Sequence, residues 1–234
     1  MNPELLTVYK SPFPKLRVGK NNDGGYIMCD IPNVKYDIML AGGVSDDISF
    51  EESFLQIYSN VICYAFDGTI HCKIDKSIND NIHFIKKNIG IINDENNTNL
   101  NEFIKKGDNI FLKMDIEGHE LNWIRCLNDE QLKKFSQIVI EFHFPFSEKD
   151  NEVFEKLNKN HLLVHFHGNN CPAGVINHNG IIIPNVFEVT YVNKKYVGFT
   201  NLELNDEIIP GLLDMPNCPG NDIYIDYPPF VNKK

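Results

Sequence analysis

The sequence predicts a doubly wound α/β fold, in which helices cover both faces of a mostly parallel sheet. Short runs of β-branched and aromatic residues recur along the chain, and segments with helical character separate them. Strands that alternate with helices in this way favour a parallel sheet with both faces buried. The 234 residues contain no repeat and no linker rich in Gly, Ser or Pro, so we expect one large domain.

The predicted elements follow one another in regular order. The apolar runs that have the length and composition of strands are residues 36–41, 61–66, 82–84 with 89–92, 110–114, 138–143 and 162–167. The segments with helical character are residues 49–58, 99–106, 120–127, 129–135 and 151–159. After His167 the pattern changes to two β-rich segments, 180–183 and 186–192. A Pro-rich tail then follows, and long tails of this kind often cover a ligand.

Charge and composition exclude several classes of protein. The chain has 22 basic and 32 acidic residues and a net charge of −10, which disfavours nucleic acid as a partner. No apolar run approaches the roughly 18 residues of a membrane span, and the first residues do not resemble a signal peptide, so we expect a cytoplasmic protein. The cysteines form no CxxC pair and are predicted to be reduced thiols. They are Cys29, Cys63, Cys72, Cys126, Cys171 and Cys218.

The ends of the first two predicted strands carry residues suited to a nucleotide-like ligand. Gly42 and Gly43 follow the first strand, and glycine allows the backbone to approach a ligand closely. Asp67 ends the second strand, where an acid can accept both hydroxyls of an adenosine ribose; a turn residue in Asp-Gly is the alternative. The motifs GxGxxG, GxxxxGK[ST] and GxSxG are absent, which counts against NAD enzymes, P-loop NTPases and α/β-hydrolases.

Three later strands each end in two potential ligands or bases spaced two residues apart. The pairs are Asp115 with Glu117, Glu141 with His143, and His165 with His167. Residues i and i+2 of a strand point to the same face, so the sequence predicts that these side chains converge on one crevice. Glu117 and Glu120 could instead be acids in the first turn of the next helix, and His165 a hydrogen-bonded core residue.

Lys113–Glu120, with the sequence KMDIEGHE, resembles the signature of the FkbM-type branch of class I S-adenosylmethionine-dependent methyltransferases. Other elements extend the resemblance over about residues 17–192. They are Arg17-Val-Gly with Asp23-Gly24-Gly25-Tyr26, Ser49-Phe50-Glu51, Glu141-x-His143, His165-x-His167-Gly-Asn169-Asn170, and Pro184-Asn185 with Glu188-Val189-Thr190-Tyr191. The glycine loop, GGVSDD, differs from the GxNxG that is commoner in the family.

The resemblance implies a Rossmann-like class I methyltransferase sheet of seven strands, the last antiparallel, with S-adenosyl-L-methionine as cofactor. It implies O-methylation of a sugar hydroxyl, in a nucleotide-activated sugar such as a GDP-heptose or in a capsule or surface glycan. Residues 1–34 would then pack on the cofactor domain, residues 35–200 would form the methyltransferase domain, and residues 201–234 would be a substrate lid or a homodimer contact.

The same resemblance assigns roles to individual residues. The expected cofactor-binding residues are Asp23, Gly24, Gly42, Gly43, Ser45, Asp67 and Asp115. Asp115 would lie between cofactor and acceptor, and His143, His167 or His119 would take the proton from the acceptor hydroxyl.

A divalent cation is the other means of activating a hydroxyl. Asp115, Glu141 and His143 would form part of the shell of Mg²⁺ or Mn²⁺, because hard cations prefer carboxylate oxygens and tolerate imidazole. Two other functions remain open: a Rossmann-like scaffold that binds a nucleotide or sugar without turnover, and a methyltransferase for another small metabolite.

Overall fold

A seven-stranded sheet lies at the centre of the molecule, with helices on both faces. The computed structural model describes residues 1–70, 79–171, 174–178, 180–197 and 202–233. The strands are β1 (Lys15–Val18), β2 (Tyr26–Cys29), β3 (Ile38–Gly42), β4 (Ile62–Phe66), β5 (Ile82–Ile85), β6 (Asn88–Ile89), β7 (Asn97–Thr98), β8 (Ile110–Met114), β9 (Phe135–His143), β10 (His161–Gly168), β11 (Val175–His178), β12 (Ile181–Pro184) and β13 (Val186–Asn193). The α-helices are α1 (Ser49–Ile57), α2 (Asn101–Ile104), α3 (Glu120–Cys126), α4 (Asp129–Lys133), α5 (Asn151–Asn160) and α6 (Lys194–Val197). Among the described residues, no helix has the length and apolar character needed to cross a membrane.

The strand order confirms the predicted sheet. It runs β10-β13-β9-β8-β3-β4-β5, and β13 is antiparallel to both of its neighbours, whereas β9, β8, β3, β4 and β5 are mutually parallel. The chain leaves β3 toward β4 on one side and returns to β8 on the other. This switch point, where Gly42 pairs with Met114, therefore places the loops after β3 and β8 side by side.

The central strands are buried on both faces because each face meets a different set of helices. In β3, Leu40 joins the core that includes Trp123 of α3 and Phe154 of α5, whereas Met39 packs with Phe54 of α1. Full burial of one such side chain contributes about 1.5–3 kcal/mol. This two-sided burial explains why the strands are continuous apolar runs rather than alternating ones.

Some element boundaries differ from the sequence prediction. The predicted strand 89–92 is reduced to β6, and Ile91 and Ile92 lie exposed in the loop that follows it. Helix α2 begins only at Asn101, because Leu100 has a φ of +63° and so cannot be part of a right-handed helix. The hairpins β1–β2 and β11–β12 were not predicted as hairpins.

The N-terminal hairpin β1–β2 is attached to the sheet by hydrogen bonds from side chains of β9 and β13. Gln137 of β9 accepts from the backbone N–H of Cys29 at 2.6 Å and donates to its carbonyl at 3.0 Å. Thr190 of β13 donates to the carbonyl of Ile27. All four residues of β2 are buried, so this strand forms a second layer over β9 and β13.

The prediction that all cysteines are reduced is wrong for one pair. Cys171, in the loop after β10, forms a disulfide with Cys218 of the C-terminal tail. The two are 47 residues apart and meet because the tail folds back over the end of β10, which cysteine spacing alone does not show. Cys29, Cys63 and Cys126 are free, and Cys72 lies outside the described residues.

We predict that Cys218→Ser lowers the free energy of unfolding by about 2–4 kcal/mol, because the disulfide restricts the unfolded chain. Denaturant unfolding without reductant measures this loss. Cys126→Ser, at an exposed free cysteine, is the control and should leave the midpoint unchanged. Equal midpoints for wild type and Cys218→Ser would show that the bond does not stabilise the fold.

Candidate active site

A cavity of about 1330 Å³ opens at the carboxyl ends of β3, β4, β8 and β9. Small-molecule sites usually measure about 300–1,000 Å³, so this cavity has room for two ligands side by side. Gly43 and Asp67 line it at the β3 and β4 ends, and Asp115, Glu141 and His143 line it at the β8 and β9 ends. The residues predicted at the ends of β3, β4, β8 and β9 therefore border one cavity.

The glycine loop lies against the backbone of the next loop. Gly43 has a φ of +70°, and a Cβ there would lie 1.4 Å from the carbonyl oxygen of Asp115. A Cβ on Gly42 would lie 2.4 Å from the side chain of Ile89. Gly43 is thus required, because the atom in the way is backbone and the φ is positive, whereas at Gly42 the atom in the way is the end of the Ile89 side chain. Gly43 and Ser45 border the cavity, whereas Gly42 does not.

Asp67 borders the cavity with most of its hydrogen-bonding capacity already in use. One carboxylate oxygen accepts from the backbone N–H of Ser45 at 2.9 Å. The other accepts from the N–H and the hydroxyl of Thr69 at 2.7 and 2.6 Å. A carboxylate has about four acceptor positions. One acceptor position of Asp67 therefore remains, which is enough for one ribose hydroxyl rather than the expected two.

Asp23 and Gly24, the two N-terminal residues expected to bind the cofactor, differ in their relation to the cavity. Asp23 is exposed and borders the cavity. Gly24 does not border it: Gly24 has a φ of +86°, and a Cβ there would lie 2.2 Å from the carboxylate of Asp47. Gly24 thus serves the packing of the loop between β1 and β2, because only glycine fits against Asp47 at this positive φ.

Three carboxylates surround one nitrogen of His143. The Nε2 atom lies 3.1 Å from Glu141, 3.5 Å from Glu117 and 3.8 Å from Asp115. Asp115, Glu117 and His143 can place one ligand atom each within 4.8 Å of one another. The expected metal ligands Asp115, Glu141 and His143 are therefore together, and the structure adds Glu117, which reaches the cluster from a turn with a φ of +56°.

Glu120 holds the other side of the same imidazole. Its carboxylate lies 3.2 Å from Nδ1 of His143 and accepts from the backbone N–H groups of Ile116 and Gly118. Glu120 is 1% exposed, so it is not a solvated acid in the first turn of α3. The sequence suggested only that alternative for Glu120, because the contact depends on how the loop after β8 turns back toward β9.

The carboxylates keep His143 protonated at neutral pH. Burial alone would lower the pKa of His143, but hydrogen bonds to Glu120 and Glu141 outweigh burial and raise the pKa to about 10. Burial also raises the pKa of Glu141 and of Asp115. Protonated His143 cannot accept a proton, so it becomes a base or a ligand only after it loses that proton.

The other two histidines expected to act as bases have different positions. His119 is exposed and borders the cavity at the start of α3. His167 is 1% exposed and does not border the cavity, so the expectation that it faces the acceptor is wrong. Its Nδ1 lies 3.4 Å from Glu188 and its Nε2 lies 2.9 Å from Asp222. The reason is the strand order: β13 separates β10 from β9.

The C-terminal tail supplies partners for the end of β10 that sequence reasoning missed. Asp214 lies 3.0 Å from His165, and Asn217 donates to Glu188 at 2.6 Å. Asn169, just after β10, donates to Glu141 at 3.1 Å and so connects the end of β10 to the acid cluster. No sequence signal identified these partners, since the contacts form only when the tail folds back.

Residues 12–167 match the family model described as the methyltransferase FkbM domain. The chain belongs to this family. Because the match covers the glycine loop, Asp67 and the whole acid cluster, both ends of the cavity are built from the FkbM region. No curated protein matches the chain.

Solved structures similar to this FkbM protein include two that are described as methyltransferases. The precorrin-6y C5,15-methyltransferase from Geobacter metallireducens is 13% identical, with 69% of this chain and 82% of that chain covered and a TM-score of 0.40. A fibrillarin/Nop5p complex is 14% identical, with 68% and 74% covered and a TM-score of 0.41. The antibiotic-resistance methyltransferase Kmr is 7% identical, with 76% and 100% covered and a TM-score of 0.36.

The pairing of His167 predicts a pH dependence of stability in this FkbM protein. Burial lowers the pKa of His167, but hydrogen bonds to Asp222 and Glu188 raise it from 6.5 to about 10. The folded state therefore holds a proton that the unfolded state loses between these values. The stabilisation is fully present below about pH 6.5 and is lost as the pH rises through about 10.

We predict that Asp222→Asn makes the melting temperature less dependent on pH across that range, because the pKa of His167 would then rise less. Thermal unfolding of both proteins at several pH values measures the two slopes. Asp226→Asn, which removes a surface ion pair with Lys233, is the control and should keep the wild-type slope. An Asp222→Asn slope as steep as that of the wild type would contradict the prediction.

Proposed function

We propose that this protein is an S-adenosylmethionine-dependent O-methyltransferase that acts on a sugar hydroxyl. The acceptor would be a nucleotide-activated sugar such as a GDP-heptose, or a sugar of a capsule or surface glycan. The observation that carries the proposal is the position of Asp115. Its backbone touches the glycine loop at Gly43, and its carboxylate belongs to the cluster around His143. Asp115 thus lies where a cofactor and an acceptor would meet.

The β3 and β4 side of the cavity suits the cofactor. Gly43 and Ser45 border the cavity on this side, and Asp67 retains one acceptor position for a ribose hydroxyl. S-adenosylmethionine, when bound, supplies a methyl group on a sulfonium, which transfers by in-line displacement. The protein must therefore hold the acceptor oxygen on the far side of that methyl group.

The cluster at the β8 and β9 ends suits a divalent cation. Three carboxylates crowd around Nε2 of His143, and Oδ1 of Asp115 is buried without a hydrogen-bond partner among the described residues. Burying a carboxylate oxygen without a partner raises the free energy of the folded state, and a bound cation would offset that increase. Asp115, Glu141 and His143, with Glu117 beside them, would hold Mg²⁺ or Mn²⁺, which would lower the pKa of an acceptor hydroxyl.

Glu120 fits the same proposal. In metal sites, a ligating histidine commonly donates its other ring N–H to a carboxylate, which fixes the ring and the tautomer. Glu120 stands in that position at Nδ1, so it directs the lone pair of neutral His143 at Nε2 into the cluster. With a cation on Nε2 of His143, His119 at the edge of the cavity would receive the acceptor proton; without a cation, His143 in its neutral form would receive it.

The direct test is calorimetric titration with S-adenosylhomocysteine, with and without Mn²⁺, followed by methyl-transfer assays over nucleotide sugars. Binding with a methylated sugar product would support the proposal. Binding without any product would favour a scaffold that holds a nucleotide without turnover. Methylation of a different small metabolite would keep the enzyme and replace the acceptor, and no binding would refute the proposal.

We predict that Asp115→Asn abolishes measurable turnover while the affinity for S-adenosylhomocysteine stays largely unchanged, because the carboxylate serves the acceptor side. Turnover and calorimetric affinity are measured on the same preparation. The control is Asp129→Asn, at a surface acid of α4 that pairs with Lys159. An unchanged rate would remove Asp115 from the mechanism.

We also predict that removing divalent cations with EDTA abolishes methyl transfer and that Mn²⁺ or Mg²⁺ restores it. The reason is that the acceptor hydroxyl is a very weak acid and the histidine beside it is protonated at neutral pH. Turnover after dialysis against EDTA, and again after addition of each cation, measures the effect. Full activity in metal-free buffer would exclude the cation and leave a histidine base.

A further inference from the structure

Tyr26 reaches the acid cluster from outside the central sheet. It begins β2 of the N-terminal hairpin and is 2% exposed. Its hydroxyl donates to Oδ2 of Asp115 at 2.9 Å. The other oxygen, Oδ1, has no hydrogen-bond partner among the described residues and lies 3.8 Å from Nε2 of His143. The two oxygens of Asp115 therefore have different environments.

Lys113 connects Tyr26 to the glycine loop. Its ammonium lies 5.0 Å from the centre of the Tyr26 ring and donates to the carbonyl of Gly43 at 3.2 Å. Lys113 is 5% exposed, and a buried cation over an aromatic ring is attracted to the face of that ring. Lys113 also interacts electrostatically with the carboxylates of Asp115 and Glu51, which offset its charge.

We propose that Tyr26 is a positioning residue that fixes the orientation of the Asp115 carboxylate, so that Oδ1 is the oxygen presented to the cation or acceptor. The effect on catalysis rests on the proposed function, whereas the effect on the orientation of Asp115 does not. A carboxylate held by one hydrogen bond on Oδ2 loses the freedom to turn about its terminal bond. In a displacement reaction, a reacting or positioning group that is misplaced by about 1 Å can lower the rate by up to about 100-fold.

The position of the Tyr26 hydroxyl is itself fixed by the sheet. Gln137 and Thr190 bind the backbone of β2 at Cys29 and Ile27, and the Tyr26 ring meets the edge of Phe50 at 5.7 Å between ring centres. The hairpin is therefore held on β9 and β13 independently of Asp115. Tyr26 can orient Asp115 because its own position does not depend on that contact.

The test compares Tyr26→Phe with a matched variant, Tyr36→Phe. Tyr36 is also buried, and its hydroxyl accepts a hydrogen bond from Gln137 at 2.9 Å, but it does not contact the acid cluster. Both variants lose one buried hydroxyl and its hydrogen bond, at a similar cost in stability. Crystal structures of both variants and the wild type would show the Asp115 carboxylate. Steady-state kinetics would give kcat and the KM for S-adenosylmethionine.

We expect Tyr26→Phe to lower kcat at least about tenfold with the KM for the cofactor nearly unchanged, as for other supporting residues of active sites. Its Asp115 carboxylate should be rotated or present in two orientations. Tyr36→Phe should keep both the wild-type kcat and the wild-type carboxylate, although it melts at a lower temperature.

An unmoved Asp115 carboxylate in Tyr26→Phe would overturn the proposal, and so would an equal loss of kcat in both variants. If the wild type methylates no sugar, the proposed function fails. The crystal structures would still decide whether Tyr26 orients Asp115.

Discussion

The crowding of carboxylates around one buried imidazole is the constraint on which the rest of the site depends. Asp115, Glu117 and Glu141 face Nε2 of His143, and Glu120 faces Nδ1. Like charges this close in a partly dry site repel one another, so the cluster holds together only if a cation or bound protons offset the charge. The carboxylates raise the pKa of His143 to about 10, so a proton on His143 would offset part of the charge, and a metal ion would offset more of it.

Asp115, His143 and Glu141 are each held by a different part of the chain. Tyr26 of the N-terminal hairpin binds Asp115, the turned-back Glu120 binds His143, and Asn169 after β10 binds Glu141. These contacts come from segments far apart in the sequence. Each gives a buried polar group a hydrogen-bond partner, without which that group would destabilise the folded state. The hairpin β1–β2 and the loop after β10 are thus part of the site, although neither belongs to the parallel strands whose ends form the cavity.

The sequence was sufficient to predict that Asp115, Glu141 and His143 lie close together, but not that Glu120 joins them. The spacing of two explains why Glu141 and His143 face the same side, because both lie in β9. Asp115 and Glu117 follow the end of β8, and Glu117 reaches the cluster from a turn with a φ of +56°. The sequence was insufficient for His167, because the antiparallel β13 enters between β9 and β10 and brings Glu188 with it. The sequence also did not predict the Cys171–Cys218 disulfide. The disulfide and the position of His167 both depend on contacts between distant segments, which local sequence patterns do not encode.

The family match ends at residue 167, and this boundary separates two parts of the site. The glycine loop, Asp67 and the acid cluster lie inside the match, so the parts suited to cofactor and methyl transfer are those of the FkbM region. The acids that pair with His165 and His167, and the disulfide, lie beyond it. Those later segments support the cavity wall at Asn169 and Cys171, next to Glu141. The cavity wall at Asn169 and Cys171 is therefore built by residues outside the matched range, whereas the glycine loop and the acid cluster lie within it.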